Sequence, residues 1–252
     1  MNINLWDTRE HALDYIQRCE NSIPHRAEAE AALLEHLPAK ATRILDIGTG
    51  AGRLIGIAKQ LWPQVKAVGV DFSPPMLELS RERFAGDSSV TIETHNLDEP
   101  LPDLGMFDVV MSSLAIHHVA DERKRSLYKE VFNRLVPGGV FCNLEHVASP
   151  SERLHFEFLK SMDVAPENDD PSNKLLDMET QLRWLREIGF TDVDCHWKWR
   201  ELALLAGRRE AKLDLWSREL LSSQADRLEL PSLLRSPNAI LDLDPSRWLI
   251  LR

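Results

Sequence analysis

Cysteine is scarce, with only Cys19, Cys142 and Cys195 in 252 residues. They are widely separated, and no C-x-x-C or Cys/His pair stands at metal-ligand spacing. A disulfide framework and a zinc module are therefore not expected, no metal site is assigned, and a reducing compartment fits best. Long apolar runs are missing too, since no window approaches the roughly 20 apolar residues of a membrane span. Met1 to Glu10 is polar and carries both signs of charge, unlike a signal peptide. Positive charge is in deficit, with 30 Lys plus Arg against 40 Asp plus Glu and a formal charge of −10. Holding a polyanion needs a positive face, so a general nucleic-acid clamp is not expected. Repeats and low-complexity tracts are absent from the sequence. These absences together lead us to expect a soluble, cytoplasmic protein.

What remains suffices for a sizeable core, at 43% hydrophobic and 28% charged residues, in one large domain or one domain with an appendage. From about residue 43 to residue 207 two kinds of apolar segment alternate. Short β-branched runs at 43–47, 65–70, 90–92, 107–111 and 139–144 read as strands. Between them, Leu54, Ala58 and Leu61, then Met76, Leu79 and Arg83, then Leu127, Val131 and Leu135, recur at helical period. Such alternation predicts an α/β fold, a doubly wound, mostly parallel sheet with helices on both faces. Ser73-Pro74-Pro75 sets a helix start, and Val136-Pro137-Gly138-Gly139 ends a helix and opens a strand. Met178, Leu182, Leu185 and Ile188 form one helical face stopped by Gly189. Val193, Cys195, Trp197 and Trp199 then alternate with polar residues as a strand with one buried face. Trp184, Trp197 and Trp199 read as packing rather than pocket.

Two segments break the rhythm. The stretch 148–176, with a helical piece near His155 to Met162, is too long for a simple connection and is a candidate lid. His155, Phe156 and Phe158 there either line a substrate site or form a plain amphipathic helix. The tail after Arg208 carries a possible amphipathic helix at Leu213, Trp216 and Leu220 and then loses its pattern.

The most informative passage is Ile44-Leu45-Asp46-Ile47-Gly48-Thr49-Gly50-Ala51-Gly52-Arg53-Leu54, a strand, a glycine-rich turn and a helix. Missing β-carbons there let a ligand approach the backbone, and the helix N-terminus faces an anionic group. A tight turn in any α/β protein would look similar. Asp71, however, ends the next strand 19 residues after Gly52, where a carboxylate can take both hydroxyls of a ribose. The dinucleotide spacing GxGxxG is not met, because the third glycine comes one position early.

GxGxG is instead the spacing that resembles the class I S-adenosylmethionine-dependent methyltransferases. Asp46 to Gly52 resembles their first motif, Val70-Asp71-Phe72-Ser73 the ribose motif and His95-Asn96-Leu97 the adenine motif. Phe107 to Ser113 resembles the fourth strand, and Leu135-Val136-Pro137-Gly138-Gly139 the turn before the fifth. The likeness covers about residues 40 to 207 and implies a seven-stranded sheet with S-adenosylmethionine as cofactor. By that likeness Gly48 and Gly50 pass close to the methionyl moiety, Asp46 orients its amino group and Asp71 holds the ribose. Phe72 and Met76 flank the adenine, Asn96 and Leu97 contact it, and Thr49, Gly52 and Ser112 complete the expected cofactor set. Asn96 stands where many relatives carry an acid, so its amide carbonyl accepts without charge.

Methyl transfer needs a nucleophile held in line, while a base is optional. Candidate acid–base residues are His117 and His118 after strand four, and Glu145 and His146 after strand five, where open α/β sheets bind ligands. His118-Val119-Ala120-Asp121 resembles the His segment of phosphoethanolamine methyltransferases. Each of these side chains has a packing or capping alternative. Residues 1–40, with Trp6, His11, Tyr15, Arg18 and Ile23-Pro24, resemble a helical cover, in which Tyr15 or Arg26 reaches the cofactor carboxylate or, equally, Tyr15 and Trp6 pack as its core. The expected organisation is a cover at 1–40, a cofactor-binding domain at 41–207 with the lid at 148–176, and an extension at 208–252 with no assigned role. The expected function is methyl transfer to an oxygen or nitrogen of a small-molecule acceptor. The alternatives are a tRNA wobble-uridine enzyme of the same fold, against which the acidic charge argues, and a non-catalytic cofactor-binding subunit.

Overall fold

A computed structural model describes residues 8–10, 13 and 25–211. The expectations for Trp6, His11, Tyr15, Arg18, Ile23-Pro24 and the helix at Leu213, Trp216 and Leu220 lie outside the described residues. Seven strands, β1 (Arg43–Ile47), β2 (Lys66–Asp71), β3 (Val90–Thr94), β4 (Phe107–Ser113), β5 (Leu135–His146), β6 (Phe190–Trp199) and β7 (Leu202–Arg209), form one sheet in the order β3-β2-β1-β4-β5-β7-β6. The first five pair in parallel, and β7 pairs antiparallel with both β5 and β6.

Among residues 25–211 the α-helices are α1 (Arg26–His36), α2 (Arg53–Leu61), α3 (Pro74–Arg83), α4 (Asp121–Arg134), α5 (Glu152–Ser161) and α6 (Met178–Ile188). Pro74 and Pro75 open α3 where a missing amide costs nothing, Asp177 caps α6 by accepting from the Thr180 amide, and Gly189 ends it at φ +116°. In the central strands successive side chains point to opposite faces and both are buried. Ile44 packs with Val109, Met111 and Cys142 on one side, and Leu45 and Ile47 with Val110, Phe141 and Leu127 on the other. That double burial is why these strands read as continuous apolar runs.

Two local features differ from expectation. β5 begins at Leu135, not at Gly139, because Leu135 still pairs with Phe107 before the register shifts and Val140 pairs with Val109. Pro137 and Gly138 occupy the irregularity between these pairs, where a residue without an amide proton is tolerated. Leu61, expected on the buried face of α2, is 47% exposed at the helix end. In 148–176, Phe158 and Leu159 bury against Leu202 and the half-buried Trp197 and Trp199, while Phe156 faces outward. That segment is closed at its neck by the Ala148 amide donating to the Leu176 carbonyl at 3.1 Å.

Strand order reverses between β1 and β4, so the crevice at their carboxyl ends is the place this topology offers to a ligand.

Candidate cofactor and acceptor site

β1 runs into three glycines in the left-handed region, Gly48 at φ +68°, Gly50 at +52° and Gly52 at +76°. They need the freedom for different reasons. A Cβ on Gly48 would stand 2.1 Å from the Ala115 Cβ, and one on Gly52 would stand 2.4 Å from the Phe84 ring. A Cβ on Gly50 would meet nothing nearer than the Met76 sulfur at 3.9 Å. Packing forbids a side chain at the outer two, whereas Gly50 borders open space.

That space is a cavity of about 360 Å³ over the carboxyl ends of β1, β2 and β4, within the usual range for ligand pockets. Asp46 and Asp71 supply its acids. Asp46 is 1% exposed, accepts from the Thr49 hydroxyl at 2.8 Å through Oδ2, and leaves Oδ1 without a protein partner. Burial, helped by the charge of Asp71, raises its carboxyl to about 7. A buried oxygen lacking a donor is costly unless a ligand supplies one, and an ammonium fits that need. Asp71 accepts from the Gly50 amide at 2.9 Å and the Ser73 amide at 2.9 Å, one on each oxygen. Burial raises its pKa and these bonds oppose the rise. Each oxygen keeps a second lone pair for a hydroxyl donor.

Of the expected cofactor residues, Arg26, Asp46, Gly48, Thr49, Gly50 and Asp71 line the cavity. So do Phe72, Met76, Asn96 and Leu97. Gly52 and Ser112 do not. Gly52 makes room for Phe84, and the Ser112 hydroxyl donates to the Ile47 carbonyl at 2.8 Å, tying β4 to β1. The Asn96 amide carbonyl already accepts from the Asp98 amide at 3.0 Å, while the Asp98 carboxylate itself lines the cavity. Arg26 donates to Glu30 at 2.9 Å, and Arg53 grips the same carboxylate at 2.6 and 2.7 Å, so α1 is tied to the start of α2. Burial pushes the Glu30 carboxyl up, but the two guanidiniums hold it below the usual range.

Of the four acid–base candidates only His118 reaches the cavity. His117 lies beneath it, ring centroids 4.1 Å apart, with Nδ1 3.0 Å from Oε1 of the fully buried Glu145. Burial lowers the His117 pKa despite its carboxylate partner. Burial raises that of Glu145, but His117 and Asn143 more than offset it, so the pair stands as neutral imidazole and carboxylate. His146 is turned to Glu201, which also binds His155 from α5. His118 itself is lowered to about 4, by burial first and by His117 second.

Sequence reasoning missed Ser113, Leu114 and Ala115 and, from the inserted segment, Ser172 and Lys174, all of which line the cavity. Ser113 ends β4 and Leu114 and Ala115 follow it, at the position already flagged for the histidines. Nothing periodic marks the last two, which arrive through the Lys174 amide donating to the His117 carbonyl at 2.8 Å. Among the described residues no group of three or more His, Cys, Asp or Glu is placed to hold a metal, and no helix is long and apolar enough to cross a membrane.

A family profile described as a methyltransferase domain matches residues 44–139. The chain is 31% identical over 175 residues to the demethylmenaquinone methyltransferase of Clavibacter sepedonicus, covering 62% of this chain and 69% of that one. It is 35% identical over 127 residues to the protein of the same description from Thermus thermophilus, covering 50% and 55%. This chain thus spans about half the length of the latter. A solved O-methyltransferase family protein from Burkholderia thailandensis shares the fold at a TM-score of 0.63, with 18% identity and coverage of 81% of this chain and 60% of that one.

Proposed function

Because this chain belongs to the class I S-adenosylmethionine-dependent methyltransferases, we propose that it transfers a methyl group to an oxygen or nitrogen of a small-molecule acceptor. The observation that carries the reading is one cavity bordered by the orphaned Asp46 oxygen, by Asp71 and by the neutral imidazole of His118. Bound S-adenosylmethionine supplies an electrophilic methyl on a sulfonium. Asp46 would hold the methionyl ammonium, Asp71 the ribose hydroxyls and Asp98 or Asn96 the adenine amine, with Met76 and Phe72 beside the base.

At the acceptor side the protein has little covalent work, and positioning carries most of the rate. An imidazole held near 4 is neutral at physiological pH. It therefore accepts a hydrogen bond from a hydroxyl or amine and turns a lone pair of that atom toward the methyl. A weak base suffices, because the acceptor's proton becomes strongly acidic only as the new bond forms. Leu114, Ala115 and Val119 supply an apolar wall that excludes water from the same space.

Calorimetry with S-adenosylhomocysteine and NAD tests the cofactor half; tighter binding of NAD would defeat it. The acceptor half is tested by screening phenols, quinols and amines for S-adenosylhomocysteine release and locating the new methyl by NMR. A carbon-methylated product would refute the oxygen-or-nitrogen reading while leaving the family intact.

A further inference from the structure

Four cations line the cavity, Arg26, Arg53, Arg83 and Lys174, against three acids, Asp46, Asp71 and Asp98. Most of these charges already have a task. The guanidiniums of Arg26 and Arg53 share the Glu30 carboxylate, and that of Arg83 donates to the Ala51 carbonyl at 3.2 Å beside the glycine turn. Asp46 and Asp71 lie on β1 and β2, and Asp98 follows β3, all on the proposed cofactor side. Lys174 comes instead from the inserted segment, and among the described residues its ammonium has neither a hydrogen bond nor an ion pair. Of the acids close to it in sequence, Asp170 gives Oδ1 to the amide and hydroxyl of Ser172 and does not line the cavity, and Asp177 caps α6.

The main chain of Lys174 is fully engaged. Its amide donates to the His117 carbonyl at 2.8 Å, and its carbonyl accepts from the ammonium of the fully buried Lys124. Both polar main-chain groups thus hold the residue beside the turn that carries His118, and the ammonium is what remains to meet a ligand. A cation lacking a counter-charge at the wall of a cavity attracts an anion, the more so where apolar walls reduce screening. Acids outnumber bases in the chain, 40 to 30, yet the inserted segment sets a base at this wall.

We propose that Lys174 is a specificity-determining residue that binds an anionic oxygen group of the acceptor, a carboxylate or a phosphate, so that the substrates are small anions carrying their hydroxyl or amine elsewhere on the molecule. Naming this end of the cavity the acceptor end rests on the function proposed above, whereas the preference for an anion is a property of Lys174 that is read without methyl transfer. In that placement the cofactor ammonium goes to Asp46 and the cofactor carboxylate to Arg26, which leaves the Lys174 charge to the second ligand.

Calorimetry on the full chain saturated with S-adenosylhomocysteine compares charge-matched pairs, 4-hydroxybenzoate with 4-hydroxybenzamide and 4-hydroxyphenyl phosphate with 4-hydroxybenzyl alcohol. The anion of at least one pair should bind tighter than its neutral partner by about tenfold or more, and the pair that shows it distinguishes carboxylate from phosphate. Lys174→Met keeps the apolar stem, loses the charge and should bring the pair to parity. Lys174→Arg should keep the preference, a rescue that a purely structural role of the stem would not predict. Lys160→Met removes the same charge from an exposed position on α5 and should change nothing. Anions that bind no tighter than their neutral partners, that fail to bind by about 10 mM, or that keep their preference in Lys174→Met overturn the proposal. So does a Lys174→Met protein that loses S-adenosylhomocysteine affinity with the anion preference intact, which would give the ammonium to the cofactor carboxylate. Because no product is measured, a carbon-methylated product would defeat the function proposed above and leave this proposal standing.

Discussion

Gly48 and Gly50 are two residues apart in one turn, yet alanine should harm them in different ways. At both, the left-handed backbone penalises an L side chain by about 1–2 kcal/mol. At Gly50 the added carbon meets only the Met76 sulfur, at 3.9 Å, so that strain is the whole cost in the unliganded protein. In a chain of this size it corresponds to a melting point lower by roughly 2–8 °C. The new methyl, however, stands on the cavity wall, and S-adenosylhomocysteine affinity should fall by at least about 100-fold, on the order of 3 kcal/mol. At Gly48 the added carbon would sit 2.1 Å from the Ala115 Cβ, a distance that must open by more than an ångström. Overpacking adds roughly 1–3 kcal/mol to the backbone strain, so Gly48→Ala should melt clearly below Gly50→Ala. Differential scanning fluorimetry beside calorimetry on both variants decides the matter. Gly50→Ala binding S-adenosylhomocysteine like the native protein would refute the placement of the ligand against this turn.

Asp46 has a folded-state pKa of about 7 against 3.8 for the free carboxyl, so the unliganded protein should lose stability as pH rises from about 4 to 7, where only the unfolded chain ionises freely. An ammonium on Asp46 reverses the preference, so cofactor affinity should climb toward pH 7 and then level, and Asp46→Asn should flatten the calorimetric profile. His155 is lowered by burial but raised more by Glu201 and then Asp169, with a net rise above 6.5. Its contribution is therefore full below 6.5 and lost as pH passes through the raised value; limited proteolysis within 148–176 should quicken at alkaline pH, and His155→Gln should remove the dependence. His118→Ala should lower turnover by about 10²–10⁴-fold with S-adenosylhomocysteine binding nearly intact; a loss under about tenfold would leave positioning alone as the catalyst. Glu145→Ala, which leaves the buried donors of His117, Asn143 and the His146 amide without their acceptor, should instead destabilise by about 1–3 kcal/mol for each donor left unpaired, read as a lowered melting temperature.

The sheet was legible because its parallel strands are buried on both faces and must be apolar, and because glycine spacing and Asp71 report a backbone that has to approach a ligand. The acceptor side was less legible. His117 and His118 are neighbours with the same chemistry, and only burial separates the one under Glu145 from the one on the cavity. Lys174 is held by its main-chain amide on the His117 carbonyl and its main-chain carbonyl under the Lys124 ammonium, and bonds made by main-chain atoms of the inserted segment leave no mark on its residue types. The Asn96 substitution was readable as a lost charge, but the carboxylate of Asp98 two residues on was visible only once the turn brought it to the cavity.

The neck at Ala148 and Leu176 sets what can change independently. The segment between them leaves the end of β5 and returns to a hydrogen-bonded point beside it, so its length and content can vary without altering the register of any strand. It contributes Ser172 and Lys174 to the cavity, while the glycine turn, Asp46 and Asp71 all belong to the sheet half. Exchange of this one cassette should change the proposed acceptor while the proposed cofactor machinery, built from residues before β4, stays as it is.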